Sequence, residues 1–145
     1  MSISNYARIE FPGRSSNEAF ARSAAACFAA QLDPTLEELG DLKTAVSEAV
    51  TNCIVHAYPA EIGKIKMKCR IMGEDILEIS IKDSGCGIED IAKAMEPLFT
   101  TGGEDRSGMG FSIMECFMDS VKVKSAPGRG TTVTMRKKIG RKRHS

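Results

Sequence analysis

Hydrophobic and polar residues alternate most regularly over Ile76-Leu77-Glu78-Ile79-Ser80-Ile81-Lys82-Asp83. A period of two predicts a strand with one face buried. Residues 63–72 precede it with a similar pattern, and Gly73-Glu74-Asp75 between the two is a hairpin signal. Residues 5–11, closed by Pro12-Gly13, predict a first strand. Residues 120–126 and 130–138, joined through Pro127-Gly128-Arg129, predict the last two. In between, the period changes to that of a helix. Leu39, Leu42, Ala45, Val46, Ala49, Val50, Cys53, Ile54 and Ala57 take most of the surface of a segment at about 36–57, which predicts a largely buried helix ended by Pro59. Ser15, Ser16 or Asn17 can cap an alanine-rich helix running to about Gln31, with Glu18 and Arg22 among its exposed positions. A short helix over 88–94, a loop over 97–109 and a helix over 110–117 complete the chain. The order predicts an α+β fold, a two-layer sandwich in which helices cover one face of a mixed, mostly antiparallel sheet.

Length and composition narrow the class. With 145 residues, 42% hydrophobic and 27% charged, the chain predicts one domain, over 1–138. Six of the 20 Lys and Arg fall in 136–145, which holds no acid, so the preceding residues carry 14 bases against 19 acids, a net of −5. Residues 139–145 therefore read as a basic, disordered tail rather than a nucleic-acid arm. The five cysteines show no C-x-x-C spacing, which excludes a zinc ribbon and fits a reducing compartment. Neither a leader-like apolar segment nor a run long enough to span a membrane is present, so the expectation is a cytoplasmic protein that contacts neither membrane nor nucleic acid.

Three segments carry chemistry. Glu48 and Asn52 are four apart and share one helical face, with His56 one turn on, where packing or capping of the helix end is its expected job. An amide oxygen can ligate a hard cation, and a carboxylate beside it can take a proton from a nucleophile. Asp83-x-Gly85-x-Gly87 ends a strand, where a carboxylate can accept from an exocyclic amine and glycines let a flat ligand approach the backbone. Ser107-Gly108-Met109-Gly110-Phe111 opens a helix after a glycine-bearing loop, an arrangement suited to phosphates, although it lacks the ending of a Walker P-loop.

Taken together, these segments resemble the Bergerat nucleotide fold of gyrase, Hsp90, histidine kinases and MutL. Within that superfamily, Ser47-Glu48-Ala49-Val50-Thr51-Asn52, Pro97-Leu98-Phe99-Thr100-Thr101 and Arg106-Ser107-Gly108-Met109-Gly110-Phe111 are similar to the sporulation anti-sigma-F family of serine kinases. Phe20-Ala21-Arg22 and Ala30-Gln31-Leu32-Asp33-Pro34 are similar to it too. The resemblance implies ATP or ADP as ligand, with Mg²⁺ held by Asn52 and Glu48 as general base toward a serine hydroxyl. It implies that Asp83 reads adenine with support from the Thr131 hydroxyl, and that Gly85 and Gly87 shape that pocket. Residues 97–110 become the ATP lid, with Thr100, Thr101, Ser107, Gly108, Met109 and Gly110 at the nucleotide, the two glycines on its phosphates. Arg106 meets the γ-phosphate charge, and Arg22 helps hold protein partners. The implied partners are a sigma factor of the sigma-F type, an anti-anti-sigma protein as phosphorylation substrate, and a second copy of the chain, through the first strand or a sheet edge.

One departure stands out. Gly102-Gly103 follows the threonine pair where relatives often carry a base, which implies a looser lid without a lysine contact. The alternatives are a binder of a stress sigma factor gated by nucleotide, in which Glu48 is a spectator, and a Bergerat ATPase module without protein-kinase activity. A mechanical clamp finds no room after the last strand for a transducer. A histidine kinase finds no phosphoacceptor hairpin before residue 5.

Overall fold

The computed structural model describes residues 2–58, 61–87 and 110–140. The short helix expected over 88–94, most of the lid and the tail from residue 141 lie outside the described residues. Five strands form one sheet: β1 (Ile3–Pro12), β2 (Lys64–Met72), β3 (Ile76–Asp83), β4 (Ser120–Ala126) and β5 (Gly130–Lys138). Their spatial order is β1-β2-β3-β5-β4, and all four pairings are antiparallel. The mixed sheet expected from sequence is thus purely antiparallel among the described residues. The reason is topological. β4 runs parallel to β3 but takes the edge, and β5 returns between them, antiparallel to both.

Strand alternation sorts the sheet into two faces. Ile65, Met67 and Cys69 on β2, Leu77, Ile79 and Ile81 on β3, and Val133 and Met135 on β5 are buried against the helices. On the opposite face Glu78 is also buried, held by the guanidinium groups of Arg70 and Arg136 on the flanking strands. Such pairing is what a buried carboxylate requires.

Helices α1 (Ser16–Ala29), α2 (Leu36–Asn52) and α3 (Phe111–Phe117) cover the inner face. On α1 the buried residues are Ala21, Ala25 and Ala29, spaced by four. A stripe of methyl groups lets α1 lie close on α2, whose buried side is Leu42, Ala45, Val46, Ala49 and Val50. Thr35 starts α2 with a complete capping box. Its hydroxyl accepts from the Glu38 amide at 3.0 Å, and the Glu38 carboxylate accepts from the Thr35 amide at 2.9 Å. Thr35→Ala is expected to lower stability by about 1 kcal/mol. Urea unfolding should show an earlier midpoint with unchanged slope.

The far end of α2 departs from expectation. Residues Cys53–Ala57 continue the helix as a π-turn rather than an α-turn. Tyr58, followed by Pro59 in the sequence, then leaves the helical region at φ −127°, ψ 65°, as a residue before proline does. None of the helices is long and apolar enough to cross a membrane among the described residues.

Candidate functional site

The cleft lies where the C-terminal half of α2 meets the ends of β3 and β5. It is lined by Asn52, Cys53, His56, Asp83, Gly87 and Thr131, with apolar walls from Ala49, Ala57, Phe111 and Val133. Sequence reasoning thus placed Asn52, Asp83, Gly87 and Thr131 in one site, and the structure brings them together. His56 joins them, where the sequence favoured helix packing or capping over contact with the site. It lies within the π-turn, and burial lowers its pKa below the usual imidazole value. Burial thus favours the neutral imidazole in the cleft wall.

Asp83 is buried at the end of β3. Its Oδ1 accepts from the Gly85 amide at 2.9 Å and from the Thr131 amide at 3.2 Å, which fixes the carboxylate in the cleft wall. The support from Thr131 comes from its backbone and not, as expected, from its hydroxyl, which pairs with the Ser125 hydroxyl at 2.8 Å. Register explains this. Thr131 lies directly opposite both Asp83 on β3 and Ser125 on β4. Cys53, unforeseen in the site, packs against the same carboxylate. Desolvation raises its thiol pKa far above the usual range, with the charge of Asp83 and a hydrogen bond to it adding to the effect. The thiol stays protonated and is a further donor to Asp83. Only its position directly after Asn52 hinted at this, and the apolar periodicity of α2 concealed it.

Asn52 has an unmet polar atom. Its Nδ2 is buried without a hydrogen-bond partner, a costly condition for an amide. Asn52 also lines the cleft. One turn towards the helix start, outside the cleft lining, sits Glu48. It is half-buried, and its pKa is raised, chiefly by desolvation and then by the charge of Glu18. Gly110 is its neighbour from α3. This glycine has φ 70°, and a Cβ placed on it would overlap the Glu48 carboxylate oxygen. The site therefore has a direction along α2: Asp83 and Cys53 at one end, Asn52 in the middle, Glu48 at the other.

Two residues expected to be exposed are not. Arg22 donates to the Ser47 hydroxyl at 3.1 Å, and Glu18 accepts from the Thr51 hydroxyl at 3.0 Å, all of them partly buried between α1 and α2. Pairs spaced by four on each helix meet across the contact. Gly85 sits just past Asp83, its backbone against the Ala57 carbonyl, where any Cβ would collide. Thr100, Thr101, Arg106, Ser107, Gly108 and Met109 lie outside the described residues.

Comparisons with known proteins give the family. The family model of the histidine kinase-like ATPase domain matches residues 11–137. An anti-sigma F factor of Caldanaerobacter subterraneus subsp. tengcongensis is 55% identical over 144 residues, covering 99% of this chain and 100% of that one. One of Thermoanaerobacter sp. (strain X514) is 56% identical over 141 residues, 97% of this chain and 98% of that one. The RsbU and RsbW domains of Rv1364c from Mycobacterium tuberculosis share the fold at TM-score 0.67 and 16% identity, over 94% of this chain and 32% of that one. A family model across most of the chain and relatives matched end to end at more than half identity give one conclusion: this chain belongs to the histidine kinase-like ATPase family and, within it, to the anti-sigma F factors.

Proposed function

We propose that the protein binds a sigma factor of the sigma-F type and uses Mg-ATP to phosphorylate a serine of the antagonist protein that releases it. The observation that carries the kinase part is the arrangement along α2. A half-buried carboxylate of raised proton affinity, Glu48, lies one turn from an amide with an unmet hydrogen-bonding group, Asn52, at a cleft whose other end is a fixed carboxylate, Asp83.

Each group has a task in that reading. Asp83, immobilised by two backbone amides and kept company by the Cys53 thiol, accepts from the exocyclic amine of adenine. Phe111 and Val133 supply apolar surface for the ring. Asn52 fits Mg²⁺, since it lines the cleft and a hard cation takes a side-chain amide oxygen. Among the described residues no group of three or more His, Cys, Asp or Glu could hold a metal ion, and Mg²⁺ characteristically uses few protein ligands beside phosphate oxygens and water. Bound there, Mg-ATP supplies the phosphoryl group and the charge neutralisation for its transfer. Glu48 accepts the proton of the serine hydroxyl as that oxygen attacks, and its raised proton affinity makes it a better base than an exposed glutamate. Gly110 keeps the space beside it open. The expected roles of Arg106 on the γ-phosphate charge, and of the lid residues Thr100, Thr101, Ser107, Gly108 and Met109, belong to the same proposal.

Partner surfaces follow from the edges of the fold. β1 is an edge strand of ten residues with Ile3 and Tyr6 exposed, which suits pairing with a second copy in a homodimer. Arg22 is tied to Ser47 yet keeps part of its surface open, so its proposed partner contact starts from a pre-oriented guanidinium.

The test is a phosphotransfer assay with labelled ATP and Mg²⁺ on candidate antagonist proteins. Phosphoserine on one antagonist, lost in Asn52→Ala, is the expected result. Phosphate release without labelled protein would point instead to an ATPase. Nucleotide binding with neither product would leave a nucleotide-gated binder.

A further inference from the structure

The turn 84–87, which follows Asp83, is suspended between two elements. On one side the Gly128 amide, in the β4–β5 hairpin, donates to the Cys86 carbonyl at 2.6 Å. On the other side, the end of α2 presents carbonyls that the helix itself leaves unused. The Cys86 amide donates to the Ala57 carbonyl at 3.1 Å, and the Cys86 thiol to the His56 carbonyl at 3.3 Å. A third link is made by a side chain. The Tyr58 hydroxyl accepts from the Ser84 amide at 2.6 Å and donates to the Lys64 carbonyl at 2.9 Å.

Tyr58 is 6% exposed, and its ring lies flat on Gly63, where a side chain would overlap it. The phenol thus joins three pieces: the end of α2, the start of β2 and the turn next to Asp83. It does not line the cleft. Packing alone would be served by phenylalanine. The hydroxyl earns its place only by using its donor and its acceptor on two backbone groups from different elements.

We infer that Tyr58 is a positioning residue for the nucleotide base. Its hydroxyl holds the Ser84 amide and thereby sets the Asp83 carboxylate and the Gly85–Gly87 backbone against Asn52 and Glu48 on α2. This rests on the nucleotide reading of the cleft. With the hydroxyl removed, the Ser84 amide loses its partner and the turn is free to shift relative to α2. The base end of the site then loosens while Glu48, three turns of helix away from Tyr58, keeps its setting.

The test compares Tyr58→Phe with the unsubstituted protein and with Thr35→Ala, which weakens the opposite end of α2. Binding of ADP and the KM for Mg-ATP are measured together with kcat for phosphotransfer. Tyr58→Phe is expected to raise Kd for ADP and KM for ATP about tenfold, with kcat at saturating ATP within about twofold. Thr35→Ala is expected to lower the melting temperature without moving KM. If both variants only lower the melting temperature, Tyr58 is a packing residue and the inference is overturned. Absence of ADP binding by the unsubstituted protein overturns the nucleotide reading itself, a different failure. A second measurement does not depend on the variant folding. The chain has two tyrosines, Tyr6 and Tyr58, so fluorotyrosine labelling gives two resolvable fluorine resonances. Saturating ADP is expected to shift that of buried Tyr58 and leave that of exposed Tyr6 in place. An unmoved Tyr58 resonance overturns the inference.

Discussion

Glu48→Gln is expected to reduce phosphotransfer by about 10²- to 10⁴-fold, the range that a positioned general base contributes. Three observations set the size of the effect. The carboxylate is half-buried on α2, one turn from Asn52, and a glycine rather than a side chain stands against it. Glutamine keeps the shape and the packing but cannot take the proton. Nucleotide binding should be retained, since Glu48 lies outside the cleft lining. Stability should not fall and is expected to rise slightly at neutral pH. The reason lies in the raised pKa. Desolvation, and then the charge of Glu18, disfavour the ionised form in the folded protein. A carboxyl whose folded pKa is raised contributes its stability below the unfolded value, and loses it as pH rises through the folded value. At neutral pH the ionised Glu48 is therefore a liability that glutamine removes. The same shift predicts that phosphotransfer increases with pH along a limb set above the ordinary glutamate value of 4.5, a limb absent from the variant. Single-turnover rates across pH, with thermal melts alongside, check both. A variant that lost activity through unfolding would show the opposite change in stability.

Gly110→Ala is expected to cost about 10²-fold in phosphotransfer through geometry alone. Its φ of 70° is left-handed, which for alanine costs about 1 kcal/mol. Its added methyl group would overlap the Glu48 carboxylate oxygen. One of the two groups then moves. Displacement of a catalytic group by about 1 Å is enough for a 10²-fold loss. The loss should appear in kcat at saturating Mg-ATP, because the group that the added methyl meets is the Glu48 carboxylate. A normal kcat in Gly110→Ala would show that Glu48 does not act from the position described.

The two variants probe one site by opposite means. Glu48→Gln leaves the shape and removes the chemistry, whereas Gly110→Ala leaves the chemistry and disturbs the shape. A protein in which Glu48 were a spectator, as in a purely nucleotide-gated binder, would tolerate both.

Much of this was legible in the residues alone. The period of two over 76–83 and the apolar periodicity of α2 identify their elements because a strand and a helix each bury one side. The shared face of Glu48 and Asn52 follows from helical spacing, which is a local property of the chain. Asp83 at the close of a strand, with Gly85 and Gly87 after it, is local in the same way. What depended on distant partners was not legible. Glu18 and Arg22 looked like exposed charges because their partners, Thr51 and Ser47, lie on another helix and meet them only when α1 packs its alanine stripe on α2. The support of Asp83 by the Thr131 amide, rather than its hydroxyl, was decided by strand register, with Thr131 facing Ser125 on one side and Asp83 on the other. Cys53 read as core and Tyr58 as a helix end. Cys53 meets Asp83, and Tyr58 holds the Ser84 amide, only because the end of α2 lies across the end of β3. Sequence by itself determined which residues could do the chemistry, because residue type and short spacing are written in the chain. Tertiary structure alone decided how they are aimed, because hydrogen bonds, burial and raised proton affinities arise from groups that the chain brings together across tens of residues.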